Sequence, residues 1–149
     1  MNITIRTAQP ADIPAIMGLV KELAEYEKGL HEVSNTEEQM LKDGFGDNPI
    51  FGAFVAENNQ GIIGISIYYY RYSTWKGKRM YLEDIVVKEA LRGQGAGKLL
   101  FEATIAKGKE ENCTGMMWQV IDWNKAAIGF YEKYGAKFDE EWVNCHLDF

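Results

Sequence analysis

The segment that most constrains this chain runs from Met80 to Lys98. A largely apolar stretch, Met80-Tyr81-Leu82-Glu83-Asp84-Ile85-Val86-Val87, leads into Ala90-Leu91-Arg92-Gly93-Gln94-Gly95-Ala96-Gly97-Lys98. A strand that runs into glycines opening a helix makes a ready cradle for phosphate. The first N–H groups of the helix have no intrahelical partner, and glycine lets the backbone approach an anion closely. Arg92 adds a fixed positive charge at the mouth of the loop. Two commoner phosphate motifs fail here. A dinucleotide-binding GxGxxG starting at Gly93 needs glycine where Lys98 stands, and a Walker A loop ending in Gly97-Lys98 needs Gly and Ser/Thr where Arg92 and Leu99 stand. The pattern that fits is R-x-x-G-x-G, carried by Arg92, Gly95 and Gly97.

Around this unit the periodicity predicts a mixed α/β order, βααβββαβαβ, in one domain spanning residues 1–149. Residues 2–7 alternate as a strand. Ile13, Ile16, Met17, Val20, Leu23 and Ala24 recur at helical spacing, which predicts an amphipathic helix over 11–28 that Pro10 and Asp12 open. Ser34 with Glu37 reads as a capping box for a shorter second helix ending near Gly44. Residues 51–57 and 62–72 read as a hairpin around Asn58-Asn59-Gln60-Gly61. A strand over 79–88, a helix to about 111, a strand over 115–121, a helix over 124–134 and a strand over 141–148 complete the order.

Composition narrows the function. Of 149 residues 46% are hydrophobic, enough for a folded core, and the formal charge of −6 disfavours nucleic acid as a partner. Cys113 and Cys145 form no CxxC and read as free thiols. The two histidines, His31 and His146, belong to no zinc motif, and no GxSxG nucleophile elbow occurs. The chain begins as a strand rather than a signal peptide, and no apolar run nears the roughly 20 residues of a spanning helix. The expectation is a cytoplasmic domain with no metal and no membrane partner.

The Arg92-x-x-Gly95-x-Gly97 pattern resembles that of the GNAT superfamily of acetyl-CoA-dependent N-acetyltransferases, and the resemblance covers nearly the whole chain. Within it the sequence is similar to the spermidine/spermine and thialysine acetyltransferase branch. The matching pieces are Lys21-Glu22-Leu23-Ala24-Glu25-Tyr26-Glu27, Asp43-Gly44-Phe45-Gly46, Tyr81-Leu82-Glu83-Asp84, and Asp122-Trp123-Asn124 followed by Tyr131. The resemblance implies that Arg92, Gly93, Gln94, Gly95, Ala96, Gly97 and Lys98 hold the pyrophosphate of acetyl-CoA. It also implies that the strand at Ile85, Val86 and Val87 hydrogen-bonds its arm, that Asn124 contacts the coenzyme, and that the enzyme is a homodimer.

The reaction needs a proton acceptor. A primary amine with a pKa near 10.4 must lose its proton before it attacks a thioester, a cost of about 4.6 kcal/mol at pH 7. A positioned carboxylate can accept it. Glu83 and Asp84 stand inside an apolar strand, and successive strand residues face opposite ways, so the two are not expected on one pocket face. The resemblance gives the base role to Glu83. It gives to Tyr131 the role of acid for the departing thiolate, although an aromatic at helical spacing is also an ordinary core residue. Backbone N–H groups around Ile85 to Val87 suit the thioester carbonyl. On the substrate side Tyr26 and Glu27 match positions near the amine, and Ser73-Thr74-Trp75 departs from the polyamine type, which has Asp at the position of Ser73. That departure favours a thialysine- or lysine-like amino acid over a polyamine. A non-catalytic acetyl-CoA sensor or a protein-tail acetylase are the other classes.

Overall fold

The computed structural model describes residues 2–149, so Met1, the first residue of the expected domain, lies outside the described part. Its contacts divide into two compact units, Met1–Gln119 and Val120–Phe149.

The first unit is a five-stranded sheet in the order β1-β2-β3-β4-β5. The strands are β1 (Thr4–Thr7), β2 (Gly52–Asn58), β3 (Gly61–Ser73), β4 (Gly77–Val87) and β5 (Met116–Trp118). The first four pair antiparallel in sequence order, and β5 joins β4 in parallel. Such a parallel return needs a crossover, which α3 (Ala96–Glu110) supplies. Each sheet face has its own apolar cluster. Ile16, Met17 and Leu19 of α1 (Ile13–Tyr26) and Met40 of α2 (Glu37–Phe45) pack with Val55, Ile65, Ile67 and Val86. Ala96 and Leu100 of α3 pack with Ala56 and Ile63, joined by Ile85 and Val87. The alternation of Ile85, Val86 and Val87 between the clusters is the period-two pattern of a strand covered on both faces. The Ser66 hydroxyl, buried under α3, is satisfied by Thr104 at 2.9 Å, and Thr104 Oγ1 also donates to the Leu100 carbonyl.

The helix expected over 11–28 is shorter. A 3₁₀ turn, Pro10–Asp12, precedes it; there Asp12 accepts from the Gln9 N–H at 2.7 Å and takes a bidentate contact from Arg6 at 2.8 and 3.0 Å. Its far end is closed by Lys28 at φ 64°, with the Gly29 N–H returning to the Ala24 carbonyl at 2.8 Å. This stop leaves Tyr26 and Glu27 at the exposed end of α1. The second helix is capped by Thr36, whose Oγ1 accepts from the Gln39 N–H at 3.1 Å, and not by Ser34. Two overlapping S/T-x-x-E/Q patterns compete here, and the later one is used.

In the second unit α4 (Lys125–Glu132) is capped by Asn124, whose Oδ1 accepts from the Ala127 N–H at 3.2 Å. Residues 141–148 are not a strand, contrary to their pattern. A strand exists through its ladder, and none of these residues joins one.

Candidate active site

The site is built around an irregularity in β4. Ile67 pairs with Asp84 and the next residue, Tyr68, pairs with Leu82, so Glu83 is an extra residue in a β-bulge. A bulge breaks the strict alternation and bends its strand. Asp84 opposes Ile67 and therefore faces α1, while the Tyr69 hydroxyl on that same face donates to Glu83 Oε1 at 3.3 Å. The expectation that neighbouring carboxylates of one strand point apart is thus overturned. The bulge turns Glu83 and Asp84 to one face.

The electrostatics record this crowding. Burial first, then the charges of Glu83 and Glu27, push the Asp84 carboxyl up to about 7. Glu27 at the end of α1 is also raised, by burial. Tyr69 is pushed up to about 12 by burial and then by Glu83, and Tyr81 rises for the same two reasons. Three carboxylates from α1 and β4 thus share one side of the sheet. Among the described residues they do not gather in a way that would hold a metal ion.

One step along the chain lies the glycine loop. Gly93 and Gly95 stand at φ 82° and 95°, in the left-handed region that disfavours side chains, and a Cβ at either would meet nothing within 4 Å. Gly95 is also the N-cap of α3 and offers no side chain to its first turn, so those N–H groups remain for a ligand. Gly97 lies inside the helix against Val87 and Ala96 is buried, so both pack on the sheet while their backbone N–H groups belong to that first turn. Gln94 and Lys98 are exposed. Arg92 donates through Nε to the Val87 carbonyl at 3.2 Å and lies 5.3 Å over the Tyr26 ring. A second tie runs from the Glu89 N–H to Glu22 of α1 at 3.2 Å. The end of α1 therefore touches the loop through Tyr26 and the acidic face through Glu27.

Between these two parts the sheet opens. Pairing of β4 with β5 covers only Met80–Leu82 against Met116–Trp118 and stops one residue before the bulge. Beyond it Ile85, Val86 and Val87 pair with β3 alone. This also explains why the strand expected over 115–121 is reduced to three residues. An open strand edge leading to a backbone cradle fits a long, thin ligand with an anionic end.

Other expected site residues stand elsewhere. Ser73 and Trp75 occupy the β3–β4 turn, where Ser73 Oγ accepts from the N–H groups of Trp75 and Lys76 at 3.2 and 3.1 Å. Glu83 lies six residues along β4 from Gly77, or about 20 Å at strand rise. Within one chain Ser73 and Trp75 are not brought to the acidic face. In the second unit Tyr131 is buried and meets Phe130 edge-on at 5.5 Å, and Asn124 spends its oxygen on the helix cap.

The site thus sets a bent strand and a glycine cradle beside a carboxylate face, places for an anionic and a cationic group next to one another. A family model described as Acetyltransferase (GNAT) family matches residues 16–136, and the chain belongs to that family. It is an acetyltransferase, and the family uses acetyl-CoA as co-substrate. Thialysine N-epsilon-acetyltransferase of Mus musculus is 40% identical over 155 residues, covering 97% of this chain and 91% of the relative. Spermidine/spermine N(1)-acetyltransferase-like protein 1 of Homo sapiens is 37% identical over 139 residues, covering 89% of this chain and 20% of that protein. The crystal structure of a possible acetyltransferase from Clostridium difficile 630 superposes with a TM-score of 0.80 at 21% identity, over 100% of both chains, a likeness of fold.

Proposed function

We propose that this enzyme moves the acetyl group of acetyl-CoA directly to the side-chain amine of a small thialysine- or lysine-like amino acid. The observation that carries the reading is the bulge, which sets Glu83 and Asp84 together on the face that Glu27 also serves. A cationic amine is drawn to such a face, and Glu83 takes its proton so that the lone pair can attack. Gly93, Gly95 and the first turn of α3 bind the pyrophosphate with Arg92, and the N–H groups of Ile85–Val87 receive the arm and the thioester oxygen. Tyr131 supplies a proton to the departing thiolate. Bound acetyl-CoA contributes only the activated acetyl group.

Residues 1–149 act as one catalytic domain in this reading, a view supported by a family match that continues across Gln119 into the second unit. A homodimer follows from the resemblance to the branch, and a cytoplasmic location from Cys113 and Cys145 as free thiols. If Ser73 and Trp75 serve the amine, they do so from a second copy, since within one chain they stand about 20 Å from Glu83.

A polyamine is the second reading, favoured by the three carboxylates and disfavoured by serine at position 73. A non-catalytic acetyl-CoA sensor has no use for Glu83 on the open face. The test is steady-state turnover with acetyl-CoA on thialysine, lysine, ornithine, spermidine and a peptide with a free lysine. A kcat/KM highest for a side-chain amino acid is expected. A higher value for spermidine or the peptide moves the assignment, and no turnover on any amine removes it.

A further inference from the structure

Tyr69 has a place in this site that the sequence motifs do not give it. It stands on β3 directly opposite Tyr81, with ring centroids 5.1 Å apart and planes tilted by 31°, and Arg71 lies 5.8 Å over the Tyr81 ring. The ring is therefore held by its neighbours, and its hydroxyl reaches across the strand pair to Glu83 Oε1. The residue it reaches is the one that the bulge has released from the ladder, so backbone pairing does not fix where that carboxylate points. We propose that Tyr69 is a positioning residue for Glu83, holding Oε1 so that Oε2 faces the amine as the proton-accepting oxygen. The inference rests on the reading of Glu83 as the base.

Three features support it. The phenol stays protonated far above neutral pH, being pushed up to about 12 by burial and by Glu83, so it serves as a donor throughout the working range. The hydroxyl–carboxylate distance of 3.3 Å is long for an O–H···O bond, as catalytic contacts often are before the substrate is bound. The charged and titratable groups around this contact are Tyr81 and Asp84 of the same strand, which both feel Glu83, and Arg71 over the Tyr81 ring. Tyr69 donates its hydroxyl hydrogen to the Glu83 carboxylate.

The experiment is a double-mutant cycle of Tyr69→Phe and Glu83→Gln, measured at pH 7 and pH 9.5 with the preferred amine. Phenylalanine keeps the ring and its packing on Tyr81, so near-wild-type melting is expected. Tyr69→Phe should lower kcat about 3- to 10-fold, the scale of one modest charge-assisted hydrogen bond, with the KM for acetyl-CoA unchanged. The loss should shrink at pH 9.5, where more of the amine is already neutral, and should vanish in the Glu83→Gln background. Wild-type kcat for Tyr69→Phe, or the same fold-loss with and without Glu83, overturns the positioning role while leaving the base intact. Wild-type turnover for Glu83→Gln alone removes the base, and this inference with it.

Discussion

Replacing Asp84 by Asn should make the protein more stable while making it a worse enzyme. The folded-state carboxyl releases its proton near pH 7, against an ordinary value of 3.8, because it is buried beside Glu83 and Glu27. Between those two pH values the native state holds a proton that the unfolded chain has already lost. Stability contributed by this group is therefore present below about pH 4, falls as pH rises towards 7, and stays lost above it. The difference of about 3 units sets a ceiling near 4 kcal/mol, and solvent reaching a half-buried group reduces this to about 2 kcal/mol. Asparagine has nearly the same shape and no charge to bury. Thermal melts of both proteins at pH 4.5 and pH 8 test this. The variant should gain roughly 4–8 °C at pH 8 and little at pH 4.5. Its KM for the amine should rise, since a cation loses one of its carboxylates. An equal gap between variant and wild type at both pH values would refute the argument from burial and like-charge crowding.

Arg92→Ala should weaken coenzyme A binding by roughly one to two decades, as expected for a charge-assisted phosphate contact of about 1.5–3 kcal/mol, with calorimetry as the check. Unchanged affinity in a folded variant would count against the cradle. Asp12→Asn should destabilise the fold by about 1.5–3 kcal/mol at pH 7, because it leaves Arg6 with a lost bidentate partner. Arg6 holds the Asp12 carboxyl below its ordinary value, so this stabilisation is present above about pH 4 and disappears on further acidification, as denaturant melts at pH 3 and 7 would record. Ser73→Asp should raise the spermidine-to-thialysine ratio of kcat/KM, with a gain that fades in salt; an unchanged ratio would remove position 73 from amine choice.

Much of the molecule was legible in the residues themselves. The hairpin around Asn58–Gly61 and the glycines that open α3 each follow from local pattern, and the structure follows them. The bulge at Glu83 was not legible. Tyr81-Leu82-Glu83-Asp84-Ile85 reads as unbroken strand, and only the register against β3 reveals that one residue is extra. Its consequences, the paired orientation of Glu83 and Asp84 and the reach of Tyr69, were hidden for the same reason. A run of tyrosines at 68, 69 and 70 gives no sign of which one meets a carboxylate. Ser73 could be matched to a position but not located, because motif spacing carries no information on which end of a hairpin faces the reaction. The stretch 141–148 failed differently: its β-like composition is real, but a strand is completed by a partner that the segment itself does not encode.

The central claim is that Glu83, released from the ladder by the bulge, removes the proton from the amine. The most direct measurement is the pH dependence of turnover for Glu83→Gln against wild type, with acetyl-CoA and the preferred amine saturating. Glutamine keeps the size and the hydrogen bond from Tyr69 but accepts no proton at working pH. The deficit should be roughly 10²–10⁴-fold at pH 7, the usual contribution of a positioned base, and should narrow markedly at pH 9.5 as solvent supplies neutral amine. A variant with wild-type turnover at pH 7, or a deficit that is the same at both pH values, would contradict it.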